Sequence, residues 1–253
     1  MLLERNVSDV GELDLTGLPI RQGLDREVRR AWLRLAAPGT WWTGAERVAI
    51  AAEVRNARTC RLCSQRKGAL SPYTLRGDHD SQGDLAQPVV DVVHRIVTDA
   101  GRLKESWVRS TVTSGVTEEQ YVEIVGIVAL VTALDTFDHA LGRALRPLPA
   151  SVPGEPRKAR PAGAQRDLAW VHTVAPQNLT PADPDPYAVH GEKNIHRALS
   201  LVPQEVFNFF DLDVELYLKD DEIRAFGVEH RALTHAQIEM LAARVSALNG
   251  CYY

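Results

Sequence analysis

Two stretches of this chain repeat one pattern, a capped helix that runs into a cysteine, and that repetition restricts the available folds more than any other feature. Thr43-Gly44-Ala45-Glu46 and Thr234-His235-Ala236-Gln237 both have the form of a capping box, in which the N-cap hydroxyl accepts from the third helical N–H while the acid or amide three residues on reaches back. Each box lies 17 residues before a cysteine, Cys60 or Cys251. Aligned without a gap, Ala51-Ala52-x-Val54 falls on Ala242-Ala243-x-Val245. A repeated helical unit cannot bury its apolar face alone, so it has to pack against other helices.

The rest of the sequence agrees. Few stretches alternate strictly, and apolar residues recur at helical spacing in most long segments, which predicts an all-α fold. Helices are expected over Asp25 to Ala36, Gly44 to Ala57, Cys60 to Ala69, Gln87 to Arg109, Glu118 to Ala144, Pro203 to Leu218 and His235 to Leu248. The helix from Glu118 has a third capping box, Thr117 with Gln120, and an apolar face of Tyr121, Ile124, Val125, Val128, Val131 and Leu134. Nine of the fourteen prolines lie between Pro147 and Pro186, marking a connection and not an element. The expected organisation is a helical domain over 1–145, a Pro-rich linker over 146–187 and a second half-repeat over 188–253.

A net charge of -4 gives no global basic field, so nucleic acid and anionic membrane are not expected partners. No apolar run reaches the length of a membrane span, and Met1-Leu2-Leu3-Glu4-Arg5-Asn6 lacks the order of a signal peptide, so a cytoplasmic protein is expected. Three cysteines cannot make a secreted disulfide scaffold, but Cys60 and Cys63 suit a redox dithiol or half a metal site. Thr59 can cap a helix carrying Cys60 in its first turn and Cys63 on the same face, where the helix end and Arg58, Arg61, Arg66 and Lys67 favour a thiolate.

At this point the residues resemble a known family. Glu239 to Cys251, with Val245-Ser246-Ala247 and Asn249-Gly250 before the cysteine, resembles the core motif of the alkylhydroperoxidase and carboxymuconolactone decarboxylase superfamily, in which a Glu-containing helix leads into Cys-x-x-Cys-x-x-x-His. The first half is similar over a greater length, because its helix and dithiol are followed by the Thr117 helix ending in Asp135-Thr136-Phe137-Asp138-His139-Ala140-Leu141-Gly142, a layout like the peroxidase-related branch. The resemblance implies an all-helical bundle, usually a homo-oligomer. It further implies a dithiol that reduces a peroxide or another small-molecule substrate, cycles through a disulfide without a further cofactor, and is recharged by a thiol reductant protein. Carried over by position, Cys63 matches the attacking cysteine and Cys60 the resolving one, whereas helix-end electrostatics favours Cys60 as the more reactive thiol.

The sequence also departs from the motif. Lys67 stands where the family has histidine, and Val48 where it has glutamate, twelve residues before Cys60, so the usual proton relay is missing from the first copy. Lys67 can stabilise a thiolate but is a poor base at neutral pH. The second copy keeps Glu239 and Cys251, and the sequence ends at Tyr253, one residue before the second cysteine would fall. Cys60, Cys63, Lys67, Glu239 and Cys251 are therefore the candidate site residues, and Cys251-Tyr252-Tyr253 is expected to be an accessible tail open to modification. The alternative function is a redox-degenerate member acting as a scaffold, binding protein or specialised biosynthetic enzyme. Zinc competes for Cys60 and Cys63, with His79 and His94 as further ligands, although a second close pair is missing. Asp78-His79-Asp80 reads as a solvated turn, His139 as an ion-pair partner of Asp135 and Asp138, and Trp41-Trp42 as a core or interface anchor.

Overall fold

Apolar residues at three- and four-residue intervals become helices throughout the molecule. The structure, a computed structural model, describes residues 17–251; the opening residues and the Tyr252-Tyr253 tail lie outside them. In chain order the helices are α1 (Gln22–Ala36), α2 (Gly44–Ala57), α3 (Arg61–Gly68), α4 (Gln87–Asp99), α5 (Glu105–Thr113), α6 (Glu118–Ala140), α7 (Tyr187–His190), α8 (Asn194–Ala198), α9 (Pro203–Leu216), α10 (Asp220–Arg224) and α11 (His235–Leu248). Among the described residues no strand forms, and the one β pairing is an isolated bridge between Gln165 and Thr173. The fold is all-α.

All three capping boxes form with both arms in place, at Thr43 with Glu46, Thr117 with Gln120 and Thr234 with Gln237. Each satisfies N–H groups that a helix start otherwise leaves unpaired, which stabilises by about 1 kcal/mol. The two repeats share this local geometry and differ in surroundings. Ile50, Ala51, Val54 and Ala57 of α2 are fully buried, whereas Met240, Leu241, Val245 and Leu248 of α11 are exposed.

By length and composition alone α6 could cross a membrane, but more than half of its apolar window is buried inside the protein. Ile124, Ile127, Val131 and Leu134 pack with residues of α1, α2 and α4, and α9 adds Leu212 to the same cluster. A second cluster joins Val108 and Val122 to Val171, Leu199, Leu201, Val206 and Phe210. The Pro-rich stretch runs along the first helices, with Trp32 donating to Pro147 O, Val152 N to Ala36 O and Lys158 N to Thr40 O.

One expected helix is two. The segment from Gln87 to Arg109 breaks after Asp99 into a 3-10 turn at Ala100–Arg102 before α5 begins. The break releases Arg102, whose guanidinium donates to the carbonyls of Arg66, Lys67 and Ala69 at the C-terminal end of α3. Carbonyls at a helix's C-terminal end lack the N–H four residues on that interior carbonyls have, and Arg66 O accepts besides from Ala69 N–H at 3.2 Å, so the turn exchanges continuity in α4 for a cap on α3. The last expected helical residues of α6 are also unwound, because Leu141 leaves helical geometry and Gly142 takes φ +63.

Beneath the first core lies a buried ion triad. Arg47 Nη1 donates to Glu123 and to Glu205 Oε1 at 2.8 Å, with all three side chains at most 1 % exposed. Trp41 N–H supplies Glu123 with a further donor at 2.6 Å, and Asn208 supplies Glu205 with one at 3.0 Å. Because Glu205 is on α9, the triad ties the last part of the chain to the first. Gly126 of α6 makes this possible, since a Cβ there would collide with the Glu205 side chain.

Candidate dithiol and metal-binding site

The dithiol is positioned by the end of α2 and the start of α3. Cys60 is the N-cap residue of α3, with its carbonyl accepting from Ser64 N–H at 3.0 Å, and Cys63 sits in the first turn. Both are reduced and about 2 % exposed. The loop after α3 then folds back over them. Asp80 accepts from Arg61 N–H at 2.8 Å and from the Arg61 guanidinium, while the Ser81 hydroxyl and Gln82 N–H both donate to Glu53 Oε2 on α2. Gly77 and Gly83, both with positive φ, bracket this turn.

That folding-back carries His79 inward. Its Nδ1 lies 3.6 Å from Cys60 Sγ and 3.4 Å from Cys63 Sγ, and its side chain is only 4 % exposed. The reading of Asp78-His79-Asp80 as a solvated turn is therefore corrected at its centre: the flanking Arg61–Asp80 pair stays at the surface while the imidazole enters the cluster. Behind it, His79 Nε2 meets Asp91 Oδ1 at 3.0 Å, and Asp91 also accepts from Arg66 and from Trp107 Nε1.

His94, on α4, completes the group. Its Nδ1 is 3.3 Å from Cys63 Sγ and its Nε2 is 2.7 Å from Glu53 Oε1, and both it and Glu53 are fully buried. The Sγ atoms of Cys60 and Cys63 and one ring nitrogen each of His79 and His94 all lie within 4.8 Å of one another, so the four can hold a metal ion.

The electrostatics follow from these contacts. Burial pushes the Cys60 thiol up, but hydrogen bonds with Cys63 N–H, His79, Asp80 N–H and the Cys63 thiol outweigh it and hold the group below the ordinary thiol range. Burial holds His94 below the usual imidazole range despite the Glu53 carboxylate beside it, which keeps the ring neutral. Glu53 resists the upward push of burial through hydrogen bonds with His94, Asn56 and Gln82 N–H, so it stays ionised. Burial acts against the His79 cation too, yet Asp91 and the two thiols raise it to about 10. Asp91 is held at about 2, its burial outweighed by His79, Trp107 and Arg66.

Cys63 also forms part of the wall of a cavity of about 370 Å³ between the end of α2, α3, α4 and α6, together with Arg58, Lys67, Thr98, Thr132 and Thr136. The structure thus brings together three of the five residues singled out in the sequence: Cys60, Cys63 and Lys67. Glu239 is on α11, where it accepts from the Tyr217 hydroxyl at 2.6 Å and stands 3.5 Å from His235. Cys251 follows α11 and is exposed. His139 is exposed as well, because Asp135 pairs with Arg55 and Asp138 with Arg146, which corrects the ion pair expected for it.

Glu53 is the residue that motif reasoning missed. It stands seven residues before Cys60 and not twelve, but an acid on the same helix face as Ile50 and Ala57 is a signal that could have found it. No family model matches the chain, and neither the curated proteins nor the solved structures compared with it include a match.

Proposed function

We propose that this protein is a thiol-dependent oxidoreductase of the alkylhydroperoxidase-like type, with Cys63 attacking a hydroperoxide, Cys60 resolving and Glu53–His94 serving as the proton relay. The observation that carries the reading is the chain Glu53–His94–Cys63 ending at a cavity wall, since it supplies the base that the sequence motif lacks. Neutral His94 accepts the Cys63 proton, and Glu53 stabilises the imidazolium that results. The Cys63 thiolate attacks one peroxide oxygen, the O–O bond breaks, and the leaving alkoxide takes the proton back from His94. Cys63 is left as a sulfenic acid. The Cys60 thiolate then attacks the Cys63 sulfur, hydroxide leaves and is protonated to water, and the disulfide forms. A thiol reductant restores the pair. Lys67 gives the cavity a cation suited to the charge that develops on the departing oxygen. A reduced dithiol of this kind fits a cytoplasmic setting.

The test is hydroperoxide consumption by reduced, chelator-treated protein in the presence of a small dithiol. Turnover is expected in the wild type and none in Cys63→Ser, while Cys60→Ser accumulates a sulfenic acid that a dimedone probe traps. Absence of turnover in the wild type would sink the proposal.

One observation favours a second reading, zinc binding at the same residues. Each imidazole turns Nδ1 toward the thiols and has a carboxylate at Nε2, Asp91 for His79 and Glu53 for His94, which is the outer-shell arrangement of zinc-ligating histidines.

A further inference from the structure

We infer that one zinc ion, held by Cys60, Cys63, His79 and His94, and the Cys60–Cys63 disulfide are mutually exclusive states of this site, so that metal guards the dithiol and a hydroperoxide releases the metal. The redox half of this rests on the oxidoreductase reading; the zinc half does not.

The geometry fits zinc before any metal is added. Zinc bonds of about 2.3 Å to sulfur and about 2.0–2.1 Å to nitrogen, opened to the tetrahedral angle, set sulfur and nitrogen roughly 3.6 Å apart. Three of the four Sγ to Nδ1 separations here are 3.6, 3.4 and 3.3 Å, and all four donor atoms lie within 4.8 Å of one another. The donors come from three places, the N-terminal turn of α3, the returning loop and α4, so a metal would lock the loop onto the two helices. The oxidoreductase chemistry accounts for His94 and Glu53 but assigns no step to His79 or Asp91. A metal gives both a role, since His79 supplies the fourth ligand, and Asp91, itself fixed by Arg66 and Trp107, orients it.

Four protein ligands leave zinc no open position for the peroxide, so the metal does not act as a Lewis acid, and oxidation of the loaded site has to occur at the zinc-bound sulfurs, which the metal makes slower to attack than free thiolates. Oxidation resolves the competition. The two thiolates lose one electron each as the S–S bond forms; the hydroperoxide O–O bond takes those two electrons and two protons from solvent, giving an alcohol and water. Zn²⁺ leaves with its charge unchanged, because a disulfide is a poor ligand for it.

The experiment uses the full chain, reduced and freed of metal, titrated anaerobically with Zn²⁺ and separately with Co²⁺, and then exposed to a hydroperoxide with a chromogenic zinc indicator present. The expected result is one equivalent of metal, a cobalt spectrum with thiolate charge-transfer and tetrahedral bands, and one zinc released per disulfide formed. Asp91→Asn, which leaves every donor in place, should weaken zinc binding about 10–100-fold. No metal uptake by the reduced protein, or zinc retained after the disulfide has formed, overturns the inference. If the protein takes no zinc yet the metal-free form consumes peroxide, the inference falls and the proposed function stands. If zinc binds but the metal-free form leaves peroxide untouched, the proposed function falls, and the exclusive states fall with it.

Discussion

Two buried polar clusters hang from the same helix, and they have opposite characters. Arg47, near the start of α2, is enclosed with Glu123 and Glu205; Glu53, two turns on, is enclosed with His94 and reaches the thiols through it. In the first cluster the partners are ions from α2, α6 and α9, and nothing in it faces the cavity beside Cys63. In the second the chain of contacts ends on a nucleophilic atom at a cavity wall. Burial of charge is thus used once to fix how the chain's last part sits on its first, and once to hold a neutral imidazole between a carboxylate and a thiol. The difference lies in where the chain of contacts terminates.

If the Arg47 cluster is structural, removing its cation should produce the largest stability loss, because two carboxylates are then left buried without a counter-ion. Arg47→Met is expected to lower stability by about 3–5 kcal/mol, measured by chemical denaturation. A loss below about 1 kcal/mol would mean that the triad does not hold the two parts together.

Glu53→Gln sharpens the other side. It keeps the shape behind His94 but turns an NH2 toward donors that the carboxylate accepted from, so stability should drop by about 1–3 kcal/mol with the fold intact, and peroxide turnover should fall about 10²-fold, the low end of general-base contributions. A variant that unfolds instead would place Glu53 with Arg47 as a structural ion.

The clusters should also separate by pH. Burial, reinforced by the neighbouring Glu205 charge, lifts Glu123 to about 7 in the folded protein, against the 4.5 of an ordinary glutamate. A raised carboxyl stabilises the fold while it is protonated, so this contribution is full below about pH 4.5 and is lost as pH rises through about 7. Thermal melts between these limits should show wild-type stability declining, and Glu123→Gln should flatten that decline.

The smallest effect distinguishes the two repeats. Thr43→Ala and Thr234→Ala remove equivalent caps, each worth about 1 kcal/mol locally. Only the first should lower global stability, because α2 lies in the core while α11 leaves its apolar residues exposed. Hydrogen exchange should report the second as local fraying of α11.

The same contrasts mark what is legible in the sequence. Helices α2 and α11 are legible to the residue because a capping box is a local signal that fixes a start whatever surrounds it. The break after Asp99 is not, since it depends on Arg102 capping α3, a contact between segments far apart in sequence. Cys60, Cys63, His79 and His94 are visible as ligand types, but their convergence depends on a loop pinned to Glu53 and Arg61. Arg47 shows the same limit: a charge among Ile50, Ala51 and Val54 is a legible anomaly, while its partner Glu205 comes from the far side of the Pro-rich stretch.

The most direct measurement of this division is the rate at which a hydroperoxide converts the reduced, metal-free dithiol to the Cys60–Cys63 disulfide, followed by alkylation and mass spectrometry on folded protein. The relay requires His94→Asn to be slower by about 10²–10⁴-fold and Arg47→Met, under conditions where it is folded, to match the wild type. Disulfide formation at the wild-type rate in His94→Asn, or an equal loss in both variants, would contradict it.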